Sequence, residues 1–230
     1  MTNTNICSCV DCLVGWKNFK HLTKKQLEYV NGKRYEAVFK PGENIFKQGT
    51  PASNVVFLSA GLAKIYMDIA GSKSFLMSIS GPGELIIGPG MYTDSGHVFS
   101  MTALNDVRTC FIETAVIKEL VLENSRFAEG LLVDISYKSQ RNIYKLMSMT
   151  QKKMPGRVAE ILLYLANKVF KNDKFTMILT RQELADMAGI AKESIVRILK
   201  DFADEGIISS GCPQFEILDK DKLIMICENG

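Results

Sequence analysis

Residues 180–208 read TRQELADMAGIAKESIVRILKDFADEGII and carry two short helical patterns separated by a glycine. Leu184 and Ala188 recur at helical spacing in the first pattern, and Ile195 begins the apolar face of the second. Gly189 falls in the turn between them, where a positive φ costs glycine least. The spacing therefore predicts two helices joined by a tight turn, with a small apolar core of their own.

The residues around this stretch extend the same prediction. Thr180 is followed three residues later by Glu183, which is the pattern of a capping box at a helix start. Ala185 stands where two crossing helices approach most closely and a small side chain is required. The following residues, 206–218, read GIISSGCPQFEIL and predict a strand, a turn and a second strand. We therefore expect a winged helix-turn-helix unit.

The second helix carries charged side chains suited to reading DNA. Glu193 and Arg197 are four residues apart and so share one helix face. In the major groove an arginine pairs bidentately with guanine, and a glutamate accepts from the cytosine amino group. The alternative is an ordinary exposed ion pair, but the position in the first half of a recognition helix favours base reading. The candidate DNA-binding residues are Arg181, Lys192, Glu193, Ser194 and Arg197.

Composition bounds the function without deciding it. The chain has 230 residues, of which 47% are hydrophobic and 23% charged, as in an ordinary globular protein. The formal net charge is +3, but residues 151–230 carry 12 basic and 12 acidic side chains, so bulk charge does not indicate DNA binding. No secretory signal or membrane-spanning pattern is present, and we expect a cytoplasmic protein with reduced thiols. The common catalytic motifs are missing, so no enzyme is predicted.

Four segments follow one another and predict an α+β protein. They are a cysteine-containing arm (1–18), a β-roll sensor domain (19–114), a dimerisation helix (115–150) and the winged helix-turn-helix domain (151–230). The helix pattern is interrupted at KKMPGR, residues 152–157, where Pro and Gly mark a boundary.

The long helix has an apolar stripe that needs a partner. The stripe contains Phe127, Leu131, Ile135, Leu146 and Met149. Packing onto its own domain is one reading, and pairing with a second copy of the chain is the one we favour. We therefore expect a homodimer joined from about Leu120 to Met149.

The motif at residues 180–208 resembles the winged helix of the CRP/FNR superfamily, the family of catabolite activators and fumarate–nitrate regulators. Residues 39–66, FKPGENIFKQGTPASNVVFLSAGLAKIY, are similar to the start of that superfamily's β-roll, which is related to cyclic-nucleotide-binding domains. The resemblance implies a homodimeric transcription factor that binds a palindromic site in double-stranded DNA and contacts RNA polymerase. Glu193 and Arg197 match the family's base-contacting residues. Val196 departs from the Gly or Ser of the two main branches, so the half-site sequence is open.

The cyclic-nucleotide branch carries a Gly-Glu-Leu cassette followed by an Arg that pairs with the cyclic phosphate. Residues 83–104, GELIIGPGMYTDSGHVFSMTAL, keep the first part but contain no arginine. A buried phosphate would then lack its cation, so cyclic AMP is not the expected effector. The candidate effector-pocket residues are Gly83, Glu84, Leu85 and Ser100.

The segment looks more like the fumarate–nitrate branch, in which cysteines hold an iron–sulfur cluster. Cys7, Cys9 and Cys12 lie in the sequence CSCVDC, and Cys110 lies where the family has its distant cysteine. Four thiolates are what a 4Fe–4S cluster requires, although the spacing of the first three departs from the family pattern. The resemblance thus implies a redox- or oxygen-controlled regulator.

Several alternatives stay open. The thiols need not bind any metal, or they hold zinc with His21 as a substitute ligand. His97 is a candidate haem ligand in principle. The β-roll is then a pocket for another small effector, or the chain is a regulatory module that does not bind DNA.

Overall fold

The computed structural model describes residues 15–69, 73–93, 95–209, 211 and 213–230. These residues form two compact units. The first contains the described chain up to Asp68 together with Ile79–Lys138, and the second contains Ile69–Ser78 and Ser139–Gly230. In the described part of the chain, every helix is too short or too polar to cross a membrane.

The N-terminal part is a β-roll preceded by helical turns. A 3-10 helix (Lys17–His21) leads into α1 (Lys24–Gly32). The described residues after α1 form eight strands, with α2 (Gly90–Thr93) between the sixth and the seventh. The strands are β1 (Arg34–Phe39), β2 (Asn44–Phe46), β3 (Asn54–Ala60), β4 (Ala63–Ile69), β5 (Lys73–Ser80), β6 (Leu85–Ile86), β7 (Ser100–Ala103) and β8 (Val107–Glu113). They form two four-stranded sheets in the orders β1-β8-β3-β6 and β2-β7-β4-β5, which confirms the predicted β-roll.

The core of the first unit lies where the arm, the roll and the following helices meet. Trp16 packs edge-on against Phe19 and Phe127, with ring centroids 5.7 and 5.5 Å apart. Phe57 of β3 and Cys110 of β8 belong to the same buried cluster. Burying side chains of this size contributes roughly 1.5–3 kcal/mol each, so the arm beyond residue 15 is part of the fold.

The helix α1 was not predicted, because the residues after Phe19 were assigned to β-rich runs. Its start is nevertheless marked in the sequence by a capping box. The Thr23 hydroxyl accepts from the Gln26 amide, and the Gln26 side chain accepts in return from the Thr23 amide. This reciprocal pair satisfies two amides that the first helical turn leaves without partners.

The predicted single long helix is two helices, α3 (Thr114–Glu123) and α4 (Ser125–Gln151). The chain leaves helical geometry at Asn124, which has φ −132° and ψ 99°. The Asn124 side chain accepts from the Phe127 amide at 3.0 Å and donates to the carbonyl of His21 at 2.9 Å. An asparagine that caps α4 and bonds to the end of the 3-10 helix therefore fixes the break.

One part of the apolar stripe packs on its own domain, and the other part is exposed and available to a second copy of the chain. Phe127 and Leu131 are 0% and 4% exposed within their own unit, so their assignment to the dimer interface was wrong, and the same holds for Leu120. Farther along α4, Ile135 and Leu146 are exposed in the single chain. The first turns of α4 therefore complete the core of the roll, and the later turns carry the free apolar surface.

The second unit contains the predicted winged fold. Its helices are α5 (Met154–Tyr164), which continues as a π-helical turn (Leu165–Phe170), α6 (Arg181–Ala188), α7 (Lys192–Asp204) and α8 (Lys220–Asn229). The strands β9 (Lys174–Thr176), β10 (Ile208–Ser209) and β11 (Gln214–Ile217) pair antiparallel in the order β10-β11-β9. The predicted break is confirmed, since Lys153 caps α5 and Pro155 lies in its first turn. The helix α8 was not predicted.

Candidate nucleic-acid interface and effector sites

The bihelical unit has the geometry that its sequence predicted. The Thr180 hydroxyl accepts from the Glu183 amide at 3.1 Å, and the Glu183 carboxylate accepts from the Thr180 amide at 2.8 Å. Gly189 ends α6 with φ 62° and ψ 43°, the left-handed region in which a side chain is strained. The capping box and the glycine thus fix both ends of the first helix.

Small and apolar side chains lock the two helices together. Ala185 is fully buried, and its carbonyl accepts from the Ile190 amide at 3.1 Å across the turn. The other core positions are buried as predicted, namely Leu184, Ala188, Ile195 and Ile198. Because this face of α7 is held inside, the opposite face of the helix is turned to solvent.

The candidate reading side chains lie on that solvent face. Lys192, Glu193 and Arg197 are exposed, whereas Ser194 and Arg181 are half-buried. Among the ion pairs and hydrogen bonds of the described residues, none joins Glu193 to Arg197. The ordinary surface pair that was the alternative reading is therefore not formed, and both groups are available to another molecule.

The N-terminus of α7 has no side-chain cap. Ala191 occupies the cap position, and its carbonyl accepts from the Ser194 and Ile195 amides, but within the described residues no capping side chain bonds to the first amides of the helix. Amides at a helix N-terminus favour anions because they carry the positive end of the helix dipole. This end of α7 is therefore suited to a phosphate next to the reading side chains.

Arg157 is a residue of this unit that the sequence did not single out. It lies on α5, and its Nη1 donates to the Ala188 carbonyl at 3.2 Å and reaches the Gly189 carbonyl at 3.5 Å. The guanidinium thereby holds the C-terminal end of α6 and the turn before α7. The only local signal was its position one residue after Gly156, which does not reveal a partner 31 residues away.

The candidate effector residues of the roll are bonded to the roll itself. Gly83 has φ 87° in a turn, and its amide donates to the Leu58 carbonyl at 2.9 Å. The Glu84 side chain accepts from the Gly81 amide at 3.3 Å, and the Ser100 hydroxyl accepts from the Gln48 amide at 3.0 Å. Leu85 is buried in the core of the first unit.

Phe46, His97 and Phe99 form an aromatic cluster close to these residues in the β-roll. Phe99, at the position where the cyclic-nucleotide cassette has its arginine, is buried 5.7 Å from Phe46, measured between ring centroids. His97 stacks on the same Phe46 ring at 4.0 Å, and burial lowers the pKa of this imidazole below its ordinary value. Apolar rings thus stand where a cyclic phosphate would need a cation.

Cys110 lies on β8 within the first unit. Its neighbours across the sheet are Glu36 on β1 and Phe57 on β3. The Arg34 Nη1 donates to Sγ of Cys110 at 3.4 Å and pairs with the Glu36 carboxylate at 2.7 Å. The Cys110 thiol is therefore buried in the sheet beside an Arg34–Glu36 ion pair.

Cys7, Cys9 and Cys12 lie outside the described residues, as does Cys212. Within the described part of the chain, no group of three or more His, Cys, Asp or Glu side chains is gathered as metal ligands are. Trp16, however, is buried in the same cluster as Cys110. Thiolates are the kind of ligand that an iron–sulfur cluster requires, and Cys110 is the one of the four expected ligands that the described residues contain.

Comparisons with known proteins match both ends of the chain. The cyclic nucleotide-binding domain family matches residues 36–124, and the Crp-like helix-turn-helix domain family matches residues 156–226. The CRP-like cAMP-activated global transcriptional regulator of Mycobacterium tuberculosis is 24% identical over 189 residues, covering 80% of this chain and 84% of that protein. The transcriptional activator protein anr of Pseudomonas aeruginosa is 25% identical over 188 residues, covering 80% and 77%.

The fold has close counterparts among solved structures. FixK2 from Bradyrhizobium japonicum superposes with a TM-score of 0.77 at 17% identity, covering 84% of this chain and 96% of that one. A β-roll, a long helix and a Crp-like helix-turn-helix domain therefore follow one another along this chain, in a fold similar to that structure. The chain belongs to the CRP/FNR superfamily of DNA-binding transcriptional regulators.

Proposed function

We propose that the protein binds a palindromic operator as a homodimer and places one α7 in the major groove of each half-site. This proposal rests on one observation, that two charged side chains of α7 do not form an ion pair with each other. Glu193 and Arg197 are exposed and not joined to each other, on a helix whose opposite face is locked into a buried core. A rigid helix with available charged groups meets the requirement for direct readout of base edges.

Each candidate residue has a role in this arrangement. Arg197 pairs with a guanine, and Glu193 accepts from a cytosine amino group. Lys192 lies at the uncapped start of α7 and contacts a phosphate. Ser194 and Arg181 contribute further contacts to the sugar–phosphate backbone of the DNA. Phosphate contacts set the register of the helix, and base contacts give the sequence preference.

The homodimer is supported by the apolar surface of α4. Its exposed apolar side chains are Leu132, Val133, Ile135, Tyr137, Ile143, Tyr144, Leu146 and Met147. Leu132, Ile135, Ile143 and Leu146 are separated by three, eight and three residues, which places them on one face of the helix. A second copy of the same helix covers such a stripe and sets the two reading helices one turn of DNA apart, about 34 Å.

For the signal, we propose a 4Fe–4S cluster held by Cys7, Cys9, Cys12 and Cys110. When bound, such a cluster supplies sensitivity to oxygen and redox state. The chain's own residues supply the connection to DNA binding, because Cys110 lies on the strand that leads directly into α3. The roles proposed for the segments follow the boundaries 1–18, 19–114, 115–150 and 151–230. The protein then acts in the cytoplasm, without catalysis, by recruiting or blocking RNA polymerase.

Operator binding is tested by selecting preferred duplexes from a random pool and measuring affinity by fluorescence anisotropy. Arg197→Ala should weaken binding by roughly 1–3 kcal/mol and relax the preference at one G·C pair. Lys200→Ala is the matched control, since Lys200 is an exposed cation on the same helix away from its N-terminus. An Arg197→Ala variant that keeps both the affinity and the base preference of the parent would refute the assignment.

The cluster is tested separately on protein purified without oxygen. We expect about four irons per chain and their loss in Cys110→Ser. Cys227→Ser is the control, because Cys227 is a half-buried thiol of the second unit. Iron-free anaerobic protein that binds its operator would exclude the cluster and leave the DNA-binding proposal intact.

A further inference from the structure

The second unit contains a cavity of about 130 Å³ beside α6, the first helix of the helix-turn-helix. It is bounded by the end of β5, the second half of α4, α5 and the end of α6. Its apolar wall includes Met77, Met149, Ile161 and Met187. None of these residues belongs to the proposed DNA contacts, to the cysteine site or to the exposed apolar side chains of α4 that support the dimer, because Met149, at the end of the predicted stripe, is half-buried.

The charged groups around the cavity are mostly cations. Arg141, Lys145 and Arg157 line it, and Glu160 is the one acid among the described residues that do so. The Glu160 carboxylate is already engaged, since it accepts from the Ser148 hydroxyl at 2.5 Å and pairs with Lys152 at 2.8 Å. The cavity therefore keeps an excess of positive charge.

Arg157 lines this site, and its guanidinium is only partly satisfied by hydrogen bonds. Its Nη1 holds the end of α6, but its Nε is buried and has no hydrogen-bond partner among the described residues. A buried donor on a charged group is costly to leave unpaired. An acceptor with negative charge is the partner that such a donor requires.

Lys145 contributes charge while it is held in place by the backbone. Its Nζ donates to the carbonyls of Leu76 and Met77 at 2.9 and 2.8 Å. Burial, together with the nearby Arg141, lowers the pKa of Lys145 to about 8, so the ammonium form still predominates at neutral pH. The ammonium adds to the positive field of the cavity.

We propose that this cavity binds a small amphiphilic organic anion, with its acidic group at Arg157 and its apolar body against Met77 and Met149. The volume sets the size of that body, because an engineered cavity of roughly 150 Å³ holds one benzene molecule. A carboxylate on a single aromatic ring or on a short branched chain matches both the size and the charge.

An anion bound in the cavity would affect the helix-turn-helix through Arg157. The Arg157 guanidinium that receives the anion is the group that holds the Ala188 and Gly189 carbonyls before α7. The binding test below uses no DNA, so its outcome is independent of the proposed function.

Benzoate is the probe, with neutral benzamide as its isosteric control, on full-length protein carrying ¹³C-labelled methionine methyl groups. Benzoate should shift the methyl signals of Met77, Met149 and Met187 and leave Met101, buried in the first unit, unchanged. Benzamide should bind at least tenfold more weakly, because it carries no charge. Equal binding of both probes, shifts away from the three methionines, or no binding would overturn the proposal.

Two variants separate the charge from the cavity. Arg157→Gln should weaken benzoate at least tenfold, and the methyl spectrum of the unbound protein shows whether the fold is kept. Arg141 is exposed, so Arg141→Gln leaves the fold intact and should weaken benzoate about threefold. Lys153→Gln, at an exposed cation outside the lining, is the control with unchanged affinity. Affinity at the parent level in Arg157→Gln, or in Arg141→Gln if the first variant does not fold, would contradict the proposed site.

Discussion

The indole Nε1 of Trp16 donates a hydrogen bond of 2.9 Å to Oδ2 of Asp134, although the two residues are 118 positions apart. The same carboxylate accepts from the Asn18 side chain at 3.1 Å and pairs with Lys17 at 2.5 Å. Donors on three consecutive residues of the arm thus meet one acid of α4. The close approach explains Gly130 in the middle of a helix, since a Cβ there would lie 2.6 Å from Oδ1 of Asn18.

Replacing Asp134 with Ala should release the arm from α4. The variant loses two hydrogen bonds to a charged acceptor and one ion pair, so the free energy of unfolding should fall by about 2 kcal/mol. Trp16 is the single tryptophan of the chain, and its fluorescence should shift to the red and become accessible to iodide. Glu129→Ala, at an exposed acid of the same helix, should change neither property. Unaltered fluorescence and stability in Asp134→Ala would show that the arm is held by apolar packing alone.

Lys192→Ala should weaken binding to all DNA sequences by a similar factor. A phosphate contact releases one counterion, so the slope of the logarithm of affinity against the logarithm of salt concentration should decrease by about one. The base preference of the variant should stay that of the parent. Titrations of matched and mismatched duplexes at several salt concentrations measure both quantities. A changed preference with an unchanged slope would instead assign Lys192 to base contacts.

Introducing charge into the exposed stripe of α4 should separate the dimer. In Ile143→Glu combined with Leu146→Glu, each unpaired buried charge costs about 3 kcal/mol, and sedimentation should detect monomers at micromolar concentration. Leu122→Glu is the control, because Leu122 is the most exposed of the large apolar side chains that the structure describes but lies on α3. A doubly substituted protein that sediments as the parent dimer does would place the interface elsewhere.

Lys145 should make the stability of the protein depend on pH in the alkaline range. Its pKa is lowered from 10.5 to about 8 in the folded chain, first by burial and then by Arg141. Between these values the unfolded chain binds more protons, so this group makes the free energy of unfolding rise with pH, by up to about 3 kcal/mol in total. Denaturant titrations from pH 7 to pH 10.5 should show this rise in the parent and in Lys153→Met, at an exposed lysine. If the free energy of unfolding of Lys145→Met rises with pH in the same way, the rise comes from another titrating group.

The sequence by itself determined the reading unit. The Thr180 and Glu183 capping box, the buried Ala185 and the left-handed Gly189 act within a few residues of chain, so their local spacing was sufficient to predict them. The β-roll was also predictable, from the resemblance of residues 39–66, and so was the break before Pro155, because a proline is a local signal. The Thr23 and Gln26 pair was an equally local signal that was overlooked, and α1 with it.

Only the tertiary structure showed which apolar faces are buried and which residues far apart in the sequence are in contact. An apolar stripe reads the same whether it faces its own domain or a second copy, so only packing showed that Leu131 is buried and Leu146 exposed. The partners of Asp134 and Arg157 lie 31 to 118 residues away, beyond any helical or strand period. Local periodicity records which face of an element is apolar, whereas the identity of the covering partner depends on contacts that form only when the whole chain folds.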